Sequence, residues 1–331
     1  MRFAIIGATG IVGQEMISCL EKRHVSISQL RLAASSRSVG KTVTTAFGKI
    51  AIEAISENLF RNSDIALFAA GSETSLKWAK KAARWGSIVI DNSSAFRYEK
   101  DVPLIIPEIN PQEAFHHNGI IANPNCTTAI AAIPLWAIEK NFGLKKIIIS
   151  TYQAASGAGR EAMEELEKQV RDYAQGKKLG IKKFQHQLLF NIIPHIDAFQ
   201  KNRYTKEEMK VVWETKKIFG NPDIDISCTA VRVPVMRAHS ESIVVETKKP
   251  IDPKKISRIF QKTPGIKVID QPERNIYPMP LNANGNFDVH VGRIRQSLVF
   301  GKSGLEFFVS GDQILKGAAL NAVQIAELFL K

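Results

Sequence analysis

At 331 residues the chain is long enough for two domains, each with its own core. Hydrophobic residues make up 44% and charged residues 23%, an ordinary balance for a globular protein. The longest apolar run, 129–138, holds Pro134 and falls short of the roughly 20 residues a membrane span needs. The chain enters a strand pattern at once, with no signal-cleavage pattern, so the expected compartment is the cytoplasm. Its formal charge is +13, but the lysines are scattered and no basic run carries interleaved aromatics. That favours small anionic ligands over nucleic acid. Three cysteines, Cys19, Cys126 and Cys228, match neither a disulfide framework nor a metal-binding spacing, so no metal is expected.

In chain order, the first half alternates strand and helix patterns. Strands are predicted at 3–6, 30–34, 50–55, 65–70, 88–91, 104–107 and 120–122, with helices at 11–22 and 73–85. Such alternation predicts a parallel sheet covered by helices. A helix follows over 129–142, where Pro134 should remove one backbone bond and introduce a kink. The second half predicts strands at 145–152, 226–235, 240–248, 266–270, 288–295 and 305–310. Helices are predicted at 159–174, at 206–219 with Gly220 as its cap, and from Pro253. A basic stretch at 177–187 has no clear period. An apolar helix pattern at 312–330 closes the chain. The expected fold class is α/β. Residues 1–126, completed by 312–331, form a Rossmann-type domain. Residues 127–311 form an α+β substrate domain with a mixed or antiparallel sheet.

Gly7-Ala8-Thr9-Gly10-Ile11-Val12-Gly13 joins the first strand to the first helix. Glycines there permit a tight turn and bring a pyrophosphate to the helix N-terminus. The turn could also be purely structural. Its position after the opening strand favours a dinucleotide. An NAD site usually carries an acid at the end of the second strand. Here Leu32 to Gly40 holds Ser35, Arg37 and Ser38 and no acid. That set fits the 2′-phosphate of NADP better than an ordinary exposed loop.

Asn123-Pro124-Asn125-Cys126-Thr127-Thr128 lies between a short strand and a long helix. A cysteine at a helix start faces N–H groups and the dipole's positive end, which favour the nucleophilic thiolate. Packing as a small hydrophobe is the alternative. Cys19 and Cys228 fall in helix and strand patterns and read as packing residues.

The glycine loop and this cysteine are accompanied by Ser93-Ser94-Ala95-Phe96-Arg97, Pro107-Glu108-Ile109-Asn110, Thr151 to Gly157, Asn191 to Asp197, Glu214-Thr215-Lys216-Lys217 and Val231 to Glu241. In this order, the segments resemble the aspartate-semialdehyde dehydrogenase family along essentially the whole chain. The resemblance implies reductive dephosphorylation of β-aspartyl phosphate through a thioester on Cys126, with NADPH as hydride donor. It places the chain in lysine, threonine, methionine and diaminopimelate synthesis. It implies His239 as acid/base catalyst and Gln153 as the group holding substrate near the sulfur. Arg232 would grip the substrate α-carboxylate, Glu214 its amino group, and Lys217, Arg97 and Asn125 the phosphate. Ser156, Gly157 and Gln313 would lie near the nicotinamide. A homodimer or homotetramer built through the second domain is also implied. Each residue has a plainer alternative, such as a strand-end histidine or an intrahelical Glu214–Lys217 salt bridge. Arg232 and His239 stand seven apart, so on one regular strand they would face opposite ways. A bulge or turn at Pro234 is needed to bring them together. Two other functions compete: acetylglutamyl-phosphate reduction on a similar fold, and a retired dehydrogenase that senses nucleotides or binds nucleic acid.

Overall fold

The structure is a computed structural model and describes residues 1–330. The chain divides into two units, one of residues 1–125 with 317–331 and one of residues 126–316. The first unit opens with β1 (Arg2–Ile6), α1 (Ile11–Lys22) and β2 (Gln29–Ala33). It continues through β3 (Thr42–Thr45), β4 (Gly48–Glu53), α2 (Glu57–Arg61), β5 (Ile65–Phe68), α3 (Ser72–Arg84), β6 (Ile88–Asp91) and β7 (Ile120–Ala122). The strands form one sheet in the order β3-β4-β2-β1-β5-β6-β7, parallel except where β3 meets β4. Ile65–Phe68 is buried at every position, as expected of a parallel strand covered on both faces. Strand order reverses between β1 and β5. In open α/β sheets that switch opens a ligand crevice at the carboxyl ends of the strands. The predicted strand at 104–107 is reduced to a single bridge, Leu104 to Ala122.

The second unit begins with α4 (Cys126–Phe142) and β8 (Leu144–Gln153). It continues with α5 (Arg160–Ala174), α6 (Lys206–Phe219), β9 (Asp225–Arg232), β10 (His239–Thr247), α7 (Pro253–Lys262) and β11 (Ile266–Val268). Next come α8 (Pro280–Ala283), β12 (Val289–Gln296) and β13 (Gly304–Gly311). The six strands run β11-β12-β13-β10-β8-β9, with parallel and antiparallel pairs mixed. Along β8 the side chains alternate. Ile147 and Ile149 are buried under the helices, whereas Ile148 and Tyr152 are exposed on the other face. Helix α4 is buried almost all round and remains one helix through Pro134. The final apolar stretch is less regular than its pattern predicts. It starts as a π-helical turn at Leu315–Ala319 and becomes α9 (Leu320–Glu327) in the first unit. No helix among the described residues is long and apolar enough to cross a membrane.

Candidate active site

In the first unit, the predicted glycine loop links β1 to α1. Gly7 has φ of +86°, and both its amide and that of Ala8 donate to the Ala33 carbonyl, at 2.8 and 3.1 Å. A Cβ on Gly13 would collide with the Gly7 carbonyl, so this glycine lets the helix sit tightly against the turn. Gly10 caps α1 and no side chain does so, which leaves the first turn, Ile11 to Gly13, open in character to an anion. Thr9 lies within the same turn. Ser35, Arg37 and Ser38 follow β2 on a short 3-10 turn, with Arg37 exposed. These residues fit a dinucleotide: a tight turn, an uncapped helix start and an exposed arginine after β2.

Arg97 belongs to the same unit and is buried. Its Nε donates to the Asn123 carbonyl and its Nη2 to the Asn92 carbonyl, both at 2.8 Å. Its turn is tied down by Asp91, which accepts from the Ser75 hydroxyl at 2.7 Å and from both the amide and the hydroxyl of Ser93. Burial raises the Asp91 pKa against the pull of those donors. Asn125 is buried and ends the first segment of this unit.

In the second unit, Cys126 is the first residue of α4 and is partly exposed. Arg232 ends β9, and its register partner on β8 is Gln153. His239 opens β10 one residue before Ser240, which pairs with Tyr152. The two residues seven apart therefore stand on separate strands with β8 between them. The connection at 233–238 carries Pro234 and a positive φ of 73° at Ala238. The sequence called for a bulge or turn at this place, and the chain supplies a complete strand-to-strand connection. Arg232, Gln153 and His239 form a buried row across three strands.

This row is held in detail. Arg232 Nη1 donates to the Ala154 carbonyl, and the Ala154 amide donates to His239 Nδ1 at 3.0 Å. A bare Nδ1 puts the proton of the neutral ring on Nε2. Burial, then the Arg232 charge, pushes the His239 pKa well below its ordinary value, so the ring is neutral in neutral solution. Burial also lowers the Arg232 pKa, opposed by the nearby Glu207 carboxylate and Cys126 sulfur. Gly157 completes the wall. A Cβ there would stand 3.0 Å from Arg232 Nη1 and 3.1 Å from His239 Nε2, so glycine leaves room at the row. Gln313 donates to the Ser156 hydroxyl and accepts the Ala238 amide at 2.8 Å, tying the 3-10 turn Ala155–Ala158 to the start of β10. Glu214 is wholly buried and Lys217 partly exposed on one face of α6, which packs on β9.

A family model for the NAD-binding domain of semialdehyde dehydrogenases matches residues 2–117, and one for their dimerisation domain matches residues 135–316. The aspartate-semialdehyde dehydrogenase of Aquifex aeolicus is 48% identical, covering 100% of this chain and 98% of the relative. That of Synechocystis is 45% identical with the same coverage. The chain belongs to the aspartate-semialdehyde dehydrogenase family. The structure of aspartate semialdehyde dehydrogenase II from Vibrio cholerae, complexed with ASA, superposes with a TM-score of 0.96. It is 42% identical and covers 99% of this chain and 98% of that one. The match favours neither acetylglutamyl-phosphate reduction nor a retired relative.

Two buried acids of this semialdehyde dehydrogenase fold escape a reading by motif. Glu207 accepts the Gln153 amide at 3.2 Å. The available signal is its spacing, seven residues before Glu214 on the same helix and therefore on the same face. Glu241 lies two residues beyond His239 on the same face of β10. It is wholly buried, and its oxygens meet no hydrogen-bond donor among the described residues. Burial pushes its pKa well above the ordinary value of 4.5. The folded chain then keeps a proton that the unfolded chain releases, so stability present below that ordinary value is lost as pH rises towards the folded pKa. Glu241→Gln cannot titrate. It is expected to raise the melting temperature more at about pH 8 than at about pH 5, read by scanning calorimetry.

Proposed function

We propose that the chain is an NADP-dependent aspartate-semialdehyde dehydrogenase that reduces β-aspartyl phosphate in amino-acid biosynthesis. The observation that carries this reading is the row Arg232–Gln153–His239 in the unit that begins with Cys126. The Cys126 thiolate attacks the acyl carbon, and phosphate leaves with the electrons of the C–O bond, giving a thioester. NADPH, when bound, supplies a hydride to the thioester carbonyl carbon. Collapse of the resulting tetrahedral adduct on Cys126 returns an electron pair to sulfur and frees the aldehyde. The covalent route spares a reactive acyl group from hydrolysis. Arg232 offers a planar fork suited to the substrate α-carboxylate. Glu214 and Lys217 suit the substrate amino group and the phosphate. His239 Nε2–H stands ready to donate to the carbonyl oxygen as charge develops there.

The residues that would hold NADP are the turn from Gly7 to Gly13 with Ser35, Arg37 and Ser38. Arg37→Ala is expected to weaken NADP binding by about 10- to 100-fold, the scale of a lost charge-assisted hydrogen bond, while NAD binding changes little. Isothermal titration with each cofactor reads this, and equal losses would remove the 2′-phosphate role. Assembly as a homodimer fits the open sheet face, where Tyr152 stacks on Phe308 beside exposed Ile148. The deciding assay supplies NADP, phosphate and either aspartate semialdehyde or N-acetylglutamate semialdehyde and follows the reduced cofactor. Turnover with the acetylated compound alone would overturn the proposal.

A further inference from the structure

We propose that Glu207, clamped by Lys210, is a positioning residue that fixes which way the Gln153 carboxamide faces and so completes a pair of hydrogen-bond donors for the acyl oxygen. This inference rests on the thioester reading of Cys126.

A carboxamide has two nearly identical ends, and its neighbours decide its orientation. At Gln153 both neighbours are committed. The Thr151 hydroxyl accepts the Val231 amide at 3.3 Å, so its own proton is available for Gln153 Oε1 at 3.1 Å. On the other side, Gln153 Nε2 donates to Glu207 Oε1 at 3.2 Å. An ionised carboxylate can only accept, and the Glu207 carboxylate is paired with a cation, Lys210. The Lys210 ammonium lies 3.0 Å from Glu207 Oε2 and 2.8 Å from Asp197 Oδ2. Burial lowers the Lys210 pKa, but the two carboxylates outweigh it and leave the pKa raised. Burial likewise works against the charge on Asp197, and the Lys210 bond brings its pKa down nonetheless. Glu207 itself is fixed in the first turn of α6. There the capping box between Thr205 and Glu208 sets the start of the helix.

The consequence lies at His239. Gln153 Nε2 is 3.4 Å from His239 Nε2, and with Nδ1 taken by the Ala154 amide the ring also carries its proton at Nε2. Two donors cannot satisfy each other. Side by side, they suit one acceptor brought from outside, and the thioester oxygen that gains charge on reduction is such an acceptor. A flipped carboxamide would set its oxygen against Glu207 and lose both arrangements.

The test is a double-mutant cycle in the full chain. Glu207→Gln keeps shape but can accept or donate. It is expected to lower kcat by about 10- to 100-fold with little change in the KM for aspartate semialdehyde. In a Gln153→Ala background the same substitution should cost almost nothing, because its target is gone. Equal costs in both backgrounds, or a fully active Gln153→Ala variant, would overturn the proposal. Selective 15N-glutamine labelling gives a readout that needs no substrate. The Gln153 side-chain NH2 signals, assigned by their loss in Gln153→Ala, should be protected from exchange in the native chain. Protection should be lost in Glu207→Gln and in Lys210→Met. Unchanged protection in both variants would also overturn the proposal. A native chain with protected Gln153 signals but no turnover of aspartate semialdehyde would instead count against the functional reading alone.

Discussion

Cys126→Ala is expected to lower kcat by about 10⁴-fold or more while NADP binding is retained. No other group in the described row can form the thioester: Arg232 and Gln153 are not nucleophiles, and His239 is held at Nδ1 by a backbone amide. Cys228 cannot substitute. It is buried on β9, and burial first, then the charges of Glu241, Glu208 and Glu207, push its thiol pKa well up. The glycine turn and Arg37 belong to the other unit, so cofactor affinity by titration calorimetry should survive the change. Mass spectrometry of protein quenched during turnover supplies the direct check. The native chain should carry an acyl adduct at position 126 and the variant none. A variant that turns over at the native rate would end the covalent mechanism.

His239→Gln is expected to cost about 10²- to 10⁴-fold in kcat, the range for a lost acid/base group. Glutamine keeps a donor and an acceptor but cannot take up and release a proton. The pH dependence distinguishes this loss from a packing defect. The native ring titrates well below the ordinary histidine range because it is buried beside Arg232. Its conversion to the charged form should therefore show as an acid limb in kcat/KM, lying lower than for a free histidine. The limb should vanish in His239→Gln. A variant that keeps both rate and limb would transfer the acid/base role to another residue.

Much of the first unit was legible because its signals are local. Gly7, Gly10 and Gly13 announce a turn at which chain direction, helix start and ligand chemistry coincide, and 65–68 is apolar at every position. The short elements were not legible. Thr42–Thr45 is polar, and Glu57–Arg61 has only Leu59 and Phe60 as apolar anchors, so both are too short to show a period. The predicted strand at 104–107 lacks a continuous neighbour and remains a bridge. In the second unit the sequence placed Arg232 and His239 in one catalytic stretch but could not put β8 between them, because strand order depends on pairing between distant segments. Glu207 was hidden for the same reason: its target, Gln153, lies 54 residues earlier in the chain.

The Cys126 sulfur sits at the tip of the most enclosed helix of its unit. From Thr127 to Leu135 every side chain of α4 is shut away from solvent, and Gly311 on β13 brings its backbone against Ile130. A nucleophile mounted there inherits the rigidity of the interior instead of the looseness of a surface loop. Conservative trimming about one turn below the sulfur, such as Ile130→Val, would open slack at its foundation. The resulting fault would surface as slower chemistry long before it surfaced as unfolding.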